Sequence, residues 1–195
     1  MNQYALNNYE MENNAKQMRW LLISQNLILF GSSMVFPYYV IFIKEVGANF
    51  TQFGLSYALF AISSALIHNF AGRVTDRFGK SHILAISAWG TAFALVFFPA
   101  VTAIYQVYIL QVIMGLFGAF QKTAEKTLVA DITDFNGRGK QIGRYHSWTT
   151  LFSGLAVIVA GYAIDLFTLD IIFYAGSLFM FISGFFALKI NERKL

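Results

Sequence analysis

The fourth long apolar stretch of the chain is interrupted by charges, and these are the first residues that could do chemistry. Lys122, Glu125 and Lys126 lie within five residues of one another, after Gln111 and Gly115 on the same stretch. Steps of three or four residues place most of this set on one face of a helix. Two ammonium groups beside a carboxylate suit an anionic or zwitterionic solute, and the carboxylate can carry a proton. We predict that these five residues line a substrate or proton cavity.

The end point of the helix that carries these groups decides between two interpretations. If the helix covers only residues 104–121, it is about 27 Å long and the charges are ordinary interfacial groups. If it continues to Asp131, each charge at depth costs about 2.5–3.5 kcal/mol and requires a water-filled cavity or mutual pairing. The glycines on the same face have their own alternative, which is close packing between helices.

A second group of polar residues lies between the second and third apolar stretches. Asp76 is an anion that can cap a helix or pair with a cation, whereas Arg77 and Lys80 can reach lipid headgroups, carbonyl oxygens or acids. Gly72 and Gly79 lack a Cβ, so the chain can turn sharply and another helix can approach. This set of residues suits either a gate or an ordinary basic turn.

The first apolar stretch carries polar residues on one face, where Asn26, Ser33 and Pro37 align and Gln25 lies nearby. Their side chains could bond a solute beside a segment that the proline loosens, or they could serve contacts between helices. We add Asn26 to the predicted cavity.

Composition places the chain in a membrane. Of its 195 residues, 57% are hydrophobic and 12% are charged, the net charge is +4, and there is no cysteine. Soluble domains are about 25% charged, so a soluble enzyme or a nucleic-acid-binding domain is excluded. The absence of cysteine excludes a disulfide scaffold and a thiolate metal site. Because we find no phosphate loop, metal-ligand cluster or nucleophile, we expect no enzyme activity, no cofactor, no metal and no nucleic-acid partner.

Six stretches are long enough to cross about 30 Å of hydrocarbon, and spans of this length are helices because lipid offers no partner to an open sheet edge. The first 18 residues are polar and do not resemble a cleaved signal peptide. We therefore predict an all-α membrane protein with a tail at 1–18, a bundle at 19–189 and a second tail at 190–195. The predicted spans are 20–43, 51–70, 83–102, 104–130, 146–166 and 171–188.

Basic residues predict the orientation. With Lys122 and Lys126 set aside, only Lys44 lies on one side of the predicted membrane. This bias follows the positive-inside rule and places both termini in the cytoplasm. The basic residues predicted to be cytoplasmic are Lys16, Arg19, Arg73, Arg77, Lys80, Arg138, Lys140, Arg144, Lys189, Arg193 and Lys194.

Two segments share the pattern Gly-x3-Asp-x-Phe, at Gly72–Phe78 after the second span and at Gly161–Phe167 after the fifth. They lie on opposite sides of the predicted membrane, as an inverted repeat of three plus three spans would place them. The segment Gly72–Lys80 also resembles the loop between the second and third helices of the major facilitator superfamily, G-x-L-x-D-R-x-G-R-R/K. The match includes Gly72, Asp76, Arg77, Gly79 and Lys80.

The resemblance extends along nearly the whole chain from Trp20, but to the N-terminal half of a twelve-helix transporter. It implies that helices one and four line the cavity, that helices three and six face lipid, and that the 72–80 loop latches the cytoplasmic side. It further implies Asp131, at the inner end of the fourth span, as the partner of Arg77. A second six-helix half, from a homodimer or a separate chain, is needed to complete the pathway.

We therefore expect a secondary active transporter, or half of one, in the plasma membrane. It would move a small organic solute, with drug or metabolite efflux as the leading class, by alternating access with proton coupling. Glu125 is the expected site of the coupled proton. The alternative is a truncated or non-transporting membrane subunit that acts only by association between helices.

Overall fold

The computed structural model describes residues 3–133 and 137–191, with side chains from residue 12 onward, and this described part contains helices and no strand. Six helical segments of it are long and apolar enough to cross a membrane, with α1 and α2 together forming the first. This confirms the predicted all-α membrane fold. The helices are α1 (Gln3–Val35), α2 (Tyr39–Glu45), α3 (Phe50–Phe78), α4 (Lys80–Val96), α5 (Ile104–Ile132), α6 (Arg138–Leu166) and α7 (Asp170–Ala187).

Local chemistry explains where the helices break. Pro37 lies in a short 3-10 turn that separates α1 from α2, because proline has no N–H to donate to the preceding turn. Asn49 caps the start of α3 through two reciprocal hydrogen bonds with Gln52. The Asn49 side chain accepts from the backbone N–H of Gln52 at 2.9 Å, and the Gln52 side chain accepts from the backbone N–H of Asn49 at 3.0 Å. A single residue, Gly79, separates α3 from α4 with φ of +91°.

Three of the helices are longer than the apolar stretches within them. α3, α5 and α6 each have 29 residues, about 43 Å, so all three exceed the hydrocarbon layer. The expected polar tail at 1–18 is helical from Gln3, where it continues into α1. Of the predicted tail at 190–195, only residues 190 and 191 are described. The basic residues Arg193 and Lys194 therefore lie outside the described part of the chain.

The six spans form a chain of neighbours with an internal symmetry. α3 packs on α5, α5 on α4, α4 on α7, α7 on α1, and α1 on α6. Exchanging the first span with the fourth, the second with the fifth and the third with the sixth reproduces the same contacts. The fold is therefore a repeat of three plus three helices. We call the end of the bundle at which α3 meets α4 the basic end.

The third and sixth spans, α4 and α7, are the most buried, with 50% and 44% of their apolar windows inside the bundle. In the row of neighbouring helices, α3, α5, α4, α7, α1 and α6, these two occupy the centre. The family resemblance implied that the third and sixth helices face lipid, and this holds for only one side of each. That side presents large apolar side chains such as Phe93, Leu178 and Phe185. The end helices of the row, α3 and α6, are the least buried, at 11% and 17%.

Small residues bring α1 and α7 close together. A Cβ on Gly31 would lie 2.6 Å from the Gly176 carbonyl oxygen, so the two backbones nearly touch. One turn from the basic end, the Ser183 hydroxyl donates to the Ser24 carbonyl oxygen at 2.7 Å. Such bonds between helices stabilise the bundle because lipid offers their polar atoms no alternative partner.

We expect Gly79→Ala to destabilise the protein by about 1–3 kcal/mol, because the backbone at this turn adopts a conformation that L-residues rarely populate. Gly72→Ala is the control, since Gly72 is helical and a Cβ there meets nothing within 4 Å. It should be neutral or stabilising by up to about 1 kcal/mol. Thermal unfolding in mild detergent measures both, and equal effects would contradict the assignment of the turn to Gly79.

Candidate functional site

A cavity of about 490 Å³ opens between α5 and α6 toward the basic end, and we call it the basic cavity. It contains three of the predicted site residues, Lys122, Glu125 and Lys126. The helix that carries them does continue past Asp131, as the second of the two interpretations requires. The lining residues are Lys122, Glu125, Lys126, Val129, Ala130, Arg138, Ile142, Tyr145 and His146.

Glu125 is held by a tyrosine of the facing helix. The Tyr145 hydroxyl donates to the Glu125 Oε1 at 2.5 Å, and Tyr145 itself is only 2% exposed. Within the described part of the chain, neither Lys122 nor Lys126 forms an ion pair, and both side chains are exposed. The carboxylate therefore bridges α5 to α6 and does not pair with either lysine of its own helix.

Arg138 closes the end of α5. Its guanidinium donates through Nη2 to the Ala130 carbonyl oxygen at 2.7 Å and through Nε to the Thr133 Oγ1 at 3.1 Å. Ala130 lies in the last turn of α5, where backbone carbonyl groups have no partner within the helix, and Thr133 is the residue that follows the helix. Arg138 thus fixes the geometry at the mouth of the basic cavity and adds a positive charge there.

A second cavity of about 380 Å³ lies on the other side of Tyr145, between α1 and α6. Arg19 and Arg144 line it together with Trp148, and its lining contains no acid among the residues for which the structure describes a side chain. Tyr145 is therefore the common wall of two cavities at the basic end.

The third cavity is smaller, about 190 Å³, and lies where α1, α3 and α5 meet toward the opposite end. Its walls are mainly apolar and aromatic, with contributions from Phe36, Tyr57 and Phe60. Gln111 is the predicted site residue that the structure places here, 7% exposed. We call this the apolar cavity.

The predicted gate segment at 72–80 is not a loop, because residues 72–78 are the end of α3, Gly79 forms the turn and Lys80 begins α4. Lys80, the first residue of α4, forms an ion pair with Asp131 at the end of α5. The implied pairing of Asp131 with Arg77 is wrong, since Arg77 is exposed and lies over the Phe78 ring, 5.5 Å from its centroid. Asp76 is likewise exposed.

For two of the predicted site glycines, the structure favours packing for Gly115 and gives no contact within the bundle for Gly72. Gly115 belongs to the contact of α5 with α3, where a Cβ would overlap the Ser63 hydroxyl and the Phe60 carbonyl oxygen. Its role is helix packing, and it lines none of the three cavities. Gly72 lies within α3 with open space around it, so neither a turn nor a close approach within this bundle explains it.

Asn26 lines none of the three cavities either. Its Oδ1 is buried without a hydrogen-bond partner among the described residues, as is the Nε2 of its neighbour Gln25. Gln25 is part of a polar chain through the bundle, in which Gln121 donates to it at 3.3 Å and accepts from Ser87 at 2.8 Å. This chain joins α1, α5 and α4.

Sequence reasoning did not select Tyr145, Gln121 or Ser87. A tyrosine just before an apolar stretch is common at a membrane interface, so nothing in the pattern separates Tyr145 from an ordinary anchor. One argument could have predicted a partner for Glu125. A carboxylate at that depth in a membrane is energetically costly, so it needs a hydrogen-bond donor from another helix.

Comparison with known proteins is consistent with this architecture. The sequence profile of the Major Facilitator Superfamily matches residues 21–195. The uncharacterized MFS-type transporter YitZ of Bacillus subtilis is 46% identical over 162 residues, which cover 83% of this chain and 99% of that protein.

Longer relatives match more weakly. The multidrug resistance protein MdtG of Proteus mirabilis is 24% identical, with 78% of this chain and 39% of that protein covered. The quinolone resistance protein NorA of Staphylococcus aureus is 27% identical, with 66% of this chain and 33% of that protein covered. The chain thus spans nearly all of YitZ but two-fifths or less of these two relatives. It belongs to the major facilitator superfamily of membrane transporters and corresponds to the N-terminal six-helix half of that fold.

Proposed function

We propose that the chain is one half of a secondary active transporter that moves a small organic solute by alternating access with proton coupling. The observation that carries this proposal is the basic cavity, where Lys122, Glu125 and Lys126 lie within a membrane bundle beside open space of about 490 Å³. Charges at such positions are costly in lipid and are retained where they contact a solute or an ion. Relatives named for multidrug and quinolone resistance support efflux as the direction.

The three cavities suggest a division of labour along the pathway. The apolar cavity, with Gln111 as a polar contact, suits the hydrophobic part of a solute, because binding sites combine apolar walls with few polar groups. The basic cavity suits its charged part. Glu125 is the candidate proton carrier, since it is the acid among the described residues that line these cavities and its carboxylate already accepts a hydrogen bond from Tyr145.

A second six-helix half would complete the pathway, either as a second copy or as a separate chain. α3 and α6 are the least covered helices of the bundle, and the cavities lie open beside them. Asp76, Arg77 and the open surface over Gly72 are on α3 at the basic end, where a partner could engage them. We propose that this partner contact, together with the Lys80–Asp131 ion pair, latches the basic end.

The proposed location is the plasma membrane, with the basic end and both termini in the cytoplasm. The positive-inside rule supports this orientation, because Lys44 lies at the opposite end while Lys80, Arg138 and Lys189 lie at the basic end. The cation of Lys189 also lies over the Trp20 ring at 4.8 Å, an arrangement suited to the interface.

Transport is tested with the expressed chain in inside-out membrane vesicles that hold a proton gradient. A pH-sensitive dye reports proton release when probe solutes of opposite charge, 1-naphthalenesulfonate and ethidium, are added separately. We expect proton release with at least one probe and none in vesicles without the chain. If neither probe causes proton release and the protein is strictly monomeric in mild detergent, the non-transporting alternative is supported.

The ion pair between Lys80 and Asp131 makes a separate prediction. Asp131 is 51% exposed and Lys80 is 16% exposed, so Asp131→Lys, which replaces the attraction by repulsion, should destabilise the protein by no more than about 2 kcal/mol. Transport should nevertheless fall, because the basic end loses one of its latches. The double variant Asp131→Lys with Lys80→Asp should recover transport, whereas Asp165→Lys, an exposed acid near the opposite end, should leave it unchanged. Failure of the double variant to recover would contradict a latch made by this pair.

A further inference from the structure

We propose that the basic cavity holds a carboxylate, sulfonate or phosphate group between Lys122 and Lys126, so that the solute is an anion or a zwitterion with its negative end toward the basic end. This inference deepens the proposed function and rests on it only for the identity of the ligand as transported solute. Binding at the cavity is a property of the chain itself.

The charge of the lining is the first argument. Among the described residues, Lys122, Lys126 and Arg138 contribute three positive charges to the lining of the basic cavity, and Glu125 contributes one acidic group. The neighbouring cavity beyond Tyr145 adds Arg19 and Arg144, and none of its described lining residues is acidic. The two cavities together therefore present five cations and one carboxylate to whatever enters.

The position of the carboxylate is the second argument. Glu125 follows Lys122 by three residues, so the sequence alone permits an ion pair between these two on one face of α5. The structure instead turns Glu125 toward α6, where Tyr145 donates to it at 2.5 Å. Neither ammonium has an acidic partner in the described part of the chain. Both lysines are therefore left to attract an anion from outside.

Depth strengthens the attraction. Lys122 lies ten residues before the end of α5, about 15 Å from it, whereas α5 exceeds the hydrocarbon layer by only about 13 Å in total. The distance of Lys122 from the end of α5 exceeds this whole excess, so by helix length Lys122 falls within the hydrocarbon layer. Charges there interact in a medium of lower dielectric than water, so an unpaired ammonium is a stronger site for an anion than one at the surface.

Size is compatible with a solute and not merely an ion. Sites for small organic molecules usually have volumes of about 300–1,000 Å³, and the basic cavity, at about 490 Å³, falls in that range. Its remaining walls include Val129 and Ile142, which can pack on an apolar body attached to the charged group.

Equilibrium dialysis of the purified chain in phosphatidylcholine nanodiscs tests the proposal without requiring transport. The probes are 1-naphthalenesulfonate and 1-naphthyltrimethylammonium, which share a ring system and differ in charge. We expect tighter binding of the sulfonate, with a loss of about tenfold in affinity for each of Lys122→Gln and Lys126→Gln. Lys140→Gln is the matched control, because Lys140 is an exposed lysine at the same end that lines neither the basic cavity nor the cavity beyond Tyr145. It should change affinity less than twofold.

An anionic lipid headgroup offers the same chemistry as a free solute, and a second arm separates them. If phosphatidylglycerol in the nanodisc displaces the sulfonate, the site is supported with lipid phosphate as its occupant. If the sulfonate remains bound, the free solute is supported. Equal binding of the two probes, or equal losses in Lys122→Gln and Lys140→Gln, would overturn the proposal. Because dialysis reads binding alone, sulfonate binding without proton release in vesicles would count against transport and leave the anion site intact.

Discussion

Replacement of Glu125 by glutamine should abolish the dependence of transport on a proton gradient while the bundle stays folded. Glutamine keeps the size of glutamate and an oxygen that can accept from the Tyr145 hydroxyl, so the contact between α5 and α6 can persist. The glutamine side chain, unlike a carboxylate, cannot gain or lose a proton in the physiological pH range. The rate of solute movement in vesicles should therefore be the same with and without the gradient.

Two further variants sharpen the Glu125 experiment. Tyr145→Phe removes the hydrogen bond and leaves the carboxylate, so gradient-driven transport should be reduced but retained. Asp165→Asn removes an exposed acid near the opposite end and should leave transport unchanged. Full gradient-driven transport by Glu125→Gln would exclude the assignment of the coupled proton to this residue.

Gly115→Leu should produce the largest loss of stability. A Cβ at this position already overlaps the Ser63 hydroxyl and the Phe60 backbone oxygen, and a backbone atom cannot move aside without separating α3 from α5. Overpacked sites typically lower the free energy of unfolding by about 1–3 kcal/mol, and we expect a larger decrease for this variant. Because α3 packs mainly on α5, its detachment would remove the second span from the bundle.

Gly154→Leu is the matched control for Gly115→Leu. Gly154 is an exposed helical glycine of α6, and a Cβ there meets nothing within 4 Å. Its leucine variant should unfold at or above the temperature of the unmodified protein, because leucine favours a helix more than glycine does. Similar thermal unfolding of both variants in detergent would show that α3 and α5 are not closely packed at Gly115.

The fold could be predicted because lipid leaves the chain few choices. An apolar run of about twenty residues must satisfy its backbone internally, so span number and helical structure follow from composition. The exact helix ends were less accessible. α3, α5 and α6 continue through charged residues at the basic end, since helices remain favourable outside hydrocarbon and apolar length alone does not mark their termini.

The site was predicted in its residue types and not in its pairings. Lys122, Glu125 and Lys126 stood out because charges in an apolar stretch are costly. Asp131 and Lys80 are 51 positions apart, and the choice of Lys80 over Arg77 depends on the reversal of the chain at Gly79, which sends the two bases to different sides. Likewise, nothing along the chain indicates that Tyr145 reaches Glu125 across the gap between α5 and α6.

The orientation of the basic end is the claim on which the latch, the solute cavities and the proton route all depend. The natural sequence contains no cysteine, so each introduced cysteine is a unique label. His82→Cys places an exposed thiol just after the turn at the basic end, and Thr168→Cys places one at the opposite end. In intact cells, we expect a membrane-impermeant maleimide to label Thr168→Cys alone and to label His82→Cys only after the cells are opened. Labelling of His82→Cys in intact cells would contradict the orientation and, with it, the proposed mechanism.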